Sequence, residues 1–201
     1  MDGASSICAP PDLSFPTVLA KFEQFHMDPI NVPLHVLTTP LIFLGYMALA
    51  TKALGSAALY CVAAAYFVTL PTVMGEGQGA VLPMTIGIFA VEVCAARKFS
   101  RLRWAALLVL TVVGALGQVF AHWVTNEKAY METYVGECRH GVIVRITSLF
   151  FEQAYFQMPL VLSVSKAQPL WWLVAVAVPS MALAIPVADG RGKPARSGKR
   201  A

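Results

Sequence analysis

The residues able to do chemistry in this chain are few, and they sit at the edges of apolar stretches. There are four histidines. Two of them, His26 and His35, flank a short segment holding Pro29, Asn31 and Pro33. On one straight helix, at roughly 100° per residue, their spacing puts them on opposite faces. The prolines argue against such a helix, because proline removes a backbone donor and clashes with the preceding turn. A bend between the two histidines would instead turn both imidazoles toward a common centre. Asn31 and His35 are one helical turn apart and share a face. Asn31 is thus placed to orient His35 or to hold a ligand carbonyl.

A second group lies later in the chain. Gln118, His122 and Asn126 recur every four residues and form a polar stripe on an apolar helix, with Glu127 at the same boundary. Polar groups are costly inside a bilayer and usually face a bundle interior or a cavity. Three histidines and a carboxylate at membrane edges can form one metal site, and imidazole plus carboxylate with open positions suits non-haem Fe(II). The plainer alternative is that each histidine is a hydrogen-bonded cap at the membrane interface.

The elements that must position these groups follow from composition. Of 201 residues, 57% are hydrophobic and 13% charged, with a mean hydropathy of +0.64. A soluble domain carries about a quarter charged residues, so the chain reads as an all-α polytopic transmembrane helix bundle. About four to six membrane segments are expected, with an N-terminal surface helix. The division is a flexible arm over 1–14, one helical membrane domain over 15–188 and a basic, disordered tail over 189–201. Within the surface helix, Phe15, Val18, Leu19, Phe22 and Phe25 recur at helical spacing. Such a stripe fits either the membrane surface or a helix packed over the bundle.

Six apolar runs are visible: Leu34–Ala53, Ala57–Met74, Ala80–Ala96, Trp104–Val124, Ile146–Val164 and Pro169–Val187. The fifth is polar for a span, since it holds Glu152, Gln153 and Gln157. Glu152 is a functional candidate, or the run is a re-entrant segment. Glu92, near the end of its run, is expected to reach the interface. Trp104, Trp171 and Trp172 read as helix-end anchors, and His140 as solvent-facing. Net charge is +4. The bases cluster at Arg97, Lys98, Arg101 and Arg103, and again at Arg191, Lys193, Arg196, Lys199 and Arg200. In a membrane protein such clusters set topology and meet anionic lipid; without a soluble basic domain, nucleic acid is not an expected partner. If both clusters are cytoplasmic, an even number of crossings separates them, yet three runs do. One run is then re-entrant, with the fifth as candidate, or the tail faces the other side. The scattered Cys8, Cys61, Cys94 and Cys138 have no metal or redox spacing. The first twenty residues lack the basic start and apolar core of a signal peptide.

His26-x4-Asn31-x3-His35-x4-Pro40, followed by an apolar run, resembles the opening motif of the 2-hydroxy fatty acid dioxygenase family, typified by a yeast endoplasmic-reticulum enzyme of fatty-acid α-oxidation. Gln118-x3-His122 with an acidic residue soon after resembles its second motif, and the likeness spans about residues 15–165. Departures are Thr38 and Ala121 where the family has glycine, and Asn126 at its acidic position, with Glu127 one later. The resemblance implies an endoplasmic-reticulum membrane enzyme that uses Fe(II) and O2 to shorten 2-hydroxy fatty acids by one carbon. It implies His26, His35 and His122 as metal ligands, and Asn31 and Gln118 as orienting groups. Glu127 would be a fourth ligand or base. Asn31 and Gln118 read equally well as helix–helix hydrogen bonds. Beyond the lipid bilayer, other membrane proteins or a second copy of the chain are candidate partners. A non-catalytic accessory or lipid-binding subunit of the same fold is the alternative. A small transporter is a third reading, though no inverted repeat is visible.

Overall fold

A computed structural model describes residues 14–75, 79–128, 155, 157–165 and 169–187. The arm, the basic tail and His140, Glu152, Gln153, Cys8 and Cys138 lie outside these residues. Among the described residues there is no strand. The described residues form seven helices: α1 (Phe15–Glu23), α2 (Asn31–Leu54), α3 (Ser56–Met74), α4 (Val81–Phe99), α5 (Trp104–Thr125), α6 (Gln157–Val164) and α7 (Pro169–Ala184).

Three of them, α2, α3 and α5, are long and apolar enough to cross a membrane. The 22 residues of α5 rise about 33 Å at 1.5 Å each, against a hydrocarbon core of ~30 Å. Leu108, Val112, Leu116, Val119 and Trp123 all point out of the bundle along α5. Such a continuous apolar face suits lipid, since it would be a large liability in water. The protein is thus an all-helical membrane bundle.

Helix ends are set locally. Gly55 takes φ 88° and lets α2 turn at once into α3, a conformation that costs any side chain with a Cβ. Pro33 falls in the first turn of α2, where no intrahelical donor is lost. At the far end of α5, Asn126 adopts the left-handed conformation (φ 54°, ψ 26°). Glu127 N donates to His122 O at 3.1 Å and Asn126 N to Trp123 O at 3.4 Å. This is a Schellman stop, with asparagine where glycine is commoner. It ends the polar stripe expected on α5, so exposed Asn126 caps the helix and Glu127 turns back over the bundle.

The bundle is built around α2, which packs against α3, α4, α5, α6 and α7, most extensively against α5. Glycine permits that approach. A Cβ on Gly114 would lie 2.9 Å from the Ile42 backbone N, and one on Gly117 would lie 2.5 Å from the Thr38 methyl. In lipid, helix pairing relies on this kind of close packing. Of the two places open to α1, the structure shows the packed one: Phe15, Val18 and Phe22 are buried, and α1 rests on α6 and α3.

Contacts at the two ends fix the path of the chain. His26, His35 and His122 meet at one end. At the other, Lys52 Nζ donates to Ser100 O at 3.1 Å and lies over the Trp104 ring, Arg97 Nη1 donates to Tyr60 OH at 3.0 Å, and Lys98 reaches Leu183 O. Thus α2 leaves the histidine end, α3 returns to it, α4 leaves, α5 returns and α7 leaves. Among the described residues between the basic turn after α4 and the end of α7, α5 and α7 run the length of the bundle. The described part of the fifth run, α6, is eight residues long. One expectation is corrected. Glu92 does not reach the interface but is fully buried at 0% exposure within α4, because α4 turns this face inward against α2 and α7.

Candidate metal centre

The bend between His26 and His35 has a local cause. After α1 stops at Glu23, Asp28 Oδ1 accepts from Ile30 N at 2.7 Å, a turn of the kind Asp before Pro favours. The chain reverses there and enters α2 at Asn31. His26 therefore hangs from the linking turn, while His35 projects from the first turns of α2. His122 comes from the last turn of α5.

The three imidazoles form a near-orthogonal triangle. Ring centroids lie 4.6 Å apart for His26–His35, 5.0 Å for His26–His122 and 4.9 Å for His35–His122, with interplanar angles of 89°, 73° and 78°. One ligating atom from each falls within 4.8 Å of the others. Two nitrogens about 2.1 Å from one metal stand ~3 Å apart, so the cluster would have to close inward on an ion.

Hydrogen bonds fix which nitrogens are available. His26 Nδ1 lies 2.8 Å from Phe22 O, and His35 Nδ1 lies 3.1 Å from Asn31 O. A carbonyl only accepts, so Nδ1 carries the proton in both rings and Nε2 keeps its lone pair. His26 Nε2 is buried with no hydrogen-bond partner. Such an orphan acceptor costs about 1–3 kcal/mol unless something fills it, and it fits a metal. Burial pushes the His26 imidazole down to about 4; the Phe22 hydrogen bond opposes this and His122 adds to it. The ring is therefore neutral, as ligation requires.

Glu127 stands beside the triangle rather than in it. Its Oε1 accepts from Met27 N at 2.7 Å and Asp28 N at 2.8 Å. Its Oε2 accepts from Asn31 Nδ2, and from Thr125 Oγ1 at 3.4 Å. Asn31 Nδ2 also donates to Phe25 O at 3.2 Å and stands 3.4 Å from His122 Nδ1. Asn31 and Glu127 together bind the histidine-bearing turn to the end of α5. Gln118 lies one turn deeper, where its Nε2 donates to Thr39 Oγ1 at 3.0 Å and links α5 to α2. The structure thus brings His26, His35 and His122 together, with Asn31 and Glu127 against them, and places Gln118 in a helix–helix contact.

A cavity of about 170 Å³ opens beside His26, between Asp28 and Val32 on one side and Val164, Ser165 and Trp171 on the other. Among the described residues, no lysine or arginine lines it. Sequence reasoning missed this wall, and it missed Thr39 as the partner of Gln118. Thr39 lies one turn after His35 and so shares its face, which was a readable signal. The approach of Val164, Ser165 and Trp171 to His26 had none, since no local pattern encodes it. Compared with known proteins, the chain matches no family model, no curated protein and no solved structure.

Proposed function

We propose that this protein is a membrane-embedded metalloenzyme of the endoplasmic reticulum that holds Fe(II) on His26, His35 and His122. Its substrates are 2-hydroxy fatty acids and O2, and its products are a fatty acid one carbon shorter, CO2 and water. The observation that carries the reading is the triangle itself: three imidazoles from segments far apart in sequence, one with a buried, unpartnered Nε2. Three histidines alone suit zinc as well as iron. The choice of iron rests on the motif resemblance.

Bound Fe(II) supplies the redox chemistry with O2. The chain's own residues do the rest. Phe22 and Asn31 carbonyls hold the Nδ1 protons of His26 and His35, so both rings present Nε2. Glu127 and Asn31 hold the turn that carries His26. The cavity beside His26 receives the acid head group. Its described lining offers a carboxylate no cation, so a bound metal would supply counter-charge there.

One observation favours the alternative, a non-catalytic accessory or lipid-binding subunit. Both Glu127 oxygens are committed to hydrogen bonds, so Glu127 is held as a structural tie rather than left free as base or fourth ligand. Metal content separates the two. Detergent-purified protein should hold near one iron per chain, lost in His35→Ala and in His122→Ala, and should convert 2-hydroxy fatty acids with O2. No bound metal after anaerobic Fe(II) loading, with variants as stable as wild type, would overturn the enzyme reading.

A further inference from the structure

The charged residues are divided between the two ends of the bundle. At the end opposite the histidines stand Lys52, Arg97, Lys98, Arg101 and Arg103, with no described acidic residue among them. Arg97, Arg101 and Arg103 are exposed. Trp104 and Tyr60, each about half exposed, stand beside the bases. The end of α7 lies here too, through the contact of Lys98 with Leu183 O. Arg191, Lys193, Arg196, Lys199 and Arg200 follow it in sequence, against the single acid Asp189. Among the described residues, the histidine end carries charges of both signs. Lys21 and Lys128 there face Glu23, Asp28 and Glu127 among the described residues. The segment from Glu127 to Arg145, which continues from α5, holds three acids and three bases.

Lysine and arginine near the ends of membrane helices are retained on the cytoplasmic side, and acidic residues contribute little to this bias. The cytoplasmic leaflet also carries the anionic lipid, which attracts bases close to the membrane surface. We infer that the basic end of the bundle faces the cytoplasm, where it binds anionic phospholipid head groups, and that the three-histidine centre opens toward the opposite side of the membrane. Two features support one orientation for both base clusters. First, among the described residues between them, α5 and α7 run the bundle's length, and α5 ends where α7 begins, at the histidine end. Second, Lys98 of the first cluster donates to Leu183 O at the end of α7, the helix that precedes the second cluster in sequence. Whatever small molecule uses the cavity beside His26 would then arrive from the non-cytoplasmic leaflet or compartment. This inference does not depend on which metal or reaction the centre supports.

Single cysteines report the sidedness. In a background with Cys8, Cys61, Cys94 and Cys138 replaced, Gln24→Cys marks the exposed turn after α1 at the histidine end. Leu54→Cys, at a position 72% exposed, marks the basic end. In sealed vesicles with the cytoplasmic face inward, a membrane-impermeant maleimide should label Gln24→Cys and spare Leu54→Cys until detergent opens them. Vesicles of the opposite orientation should reverse the pattern. The lipid arm compares thermal unfolding in vesicles with and without phosphatidylglycerol in phosphatidylcholine. Anionic lipid should raise the midpoint, and the rise should shrink in Arg101→Gln/Arg103→Gln and in high salt. Reversed labelling, or labelling of both sites in either vesicle type, overturns the orientation. An unchanged midpoint overturns the lipid contact. Neither result bears on iron content, so a failure here is distinct from failure of the proposed chemistry.

Discussion

Glu127 Oε1 accepts a hydrogen bond from the main-chain N–H of Met27 at 2.7 Å, tying together residues one hundred positions apart. The same carboxylate takes the N–H of Asp28 and the amide of Asn31. It is the device that holds His26 over His35 and His122. Its direction comes from the αL residue before it. Asn126 stops α5, and the next residue turns back toward the bundle.

Replacing this carboxylate should loosen the site without removing a ligand. Charge-assisted hydrogen bonds are roughly twice as strong as neutral ones, and groups that orient metal ligands are worth about 10–100-fold in affinity. Glu127→Ala should weaken metal binding by about that factor. Glu127→Gln should fall between, because its amide keeps one acceptor and sets a donor against the other partners. A metal titration of the three proteins checks this. Unchanged affinity in Glu127→Ala would show that the triangle holds itself.

Helix spacing should matter as much as hydrogen bonding. A Cβ on Gly114 would sit 2.9 Å from Ile42 N and 3.3 Å from Ile42 Cα, which are backbone atoms that cannot swing aside. Gly114→Ala must therefore push α5 from α2, at a cost of about 1–3 kcal/mol. His35 and His122 ride on those two helices, so metal affinity should fall as well. Gly87, with nothing within 4 Å of an added Cβ, is the control. Gly87→Ala should unfold at or slightly above the wild-type temperature.

The legible part of this protein was its helical membrane character and the list of polar residues worth watching. Apolar runs broken at Gly55 and Gly75 mark helix ends because few other residues tolerate those backbone angles. The topology became definite only in three dimensions. The sequence leaves the fifth run ambiguous, whereas the contact of Lys98 with Leu183 places the end of α7 beside the first base cluster. Side-chain partners were the least legible. Asn126 reads as the third member of a polar stripe, since periodicity takes no account of a left-handed cap. Glu127 reads as a ligand or base for the same reason. Two of its partners are the backbone N–H groups of Met27 and Asp28, which carry no side-chain signature.

Acid should destabilise the metal-free protein through His26. The free imidazole takes up its proton near 6.5, the folded one only near 4, because burial disfavours the cation. Between those values the unfolded chain binds more protons, so stability rises with pH across that window. It is fully present above about 6.5 and is lost as pH falls toward 4, by about 3 kcal/mol for the whole shift. Unfolding in detergent at pH 7 and pH 5 reads the slope. In His26→Gln the slope should flatten. If wild type and variant lose stability in parallel, the acid sensitivity lies elsewhere.

Glu92 poses the opposite question, of a polar group with nothing to bind. It is fully buried in α4, and neither carboxyl oxygen has a partner. Tyr66 gives its hydroxyl hydrogen to Tyr155 O at 3.2 Å and does not serve it. A buried unsatisfied group costs about 1–3 kcal/mol, and an apolar side chain of similar volume removes that cost. Glu92→Met should therefore stabilise the protein by roughly that amount, read as a rise in the unfolding midpoint in detergent. Ionisable residues inside a membrane bundle nevertheless tend to be functional, so the same variant should be assayed with 2-hydroxy fatty acids. A more stable and fully active Glu92→Met would make the carboxyl dispensable. A more stable but inactive one would show that it is retained for function at the expense of stability. A less stable one would mean that the carboxyl is satisfied by a bound group, and the premise of an idle acid would fall.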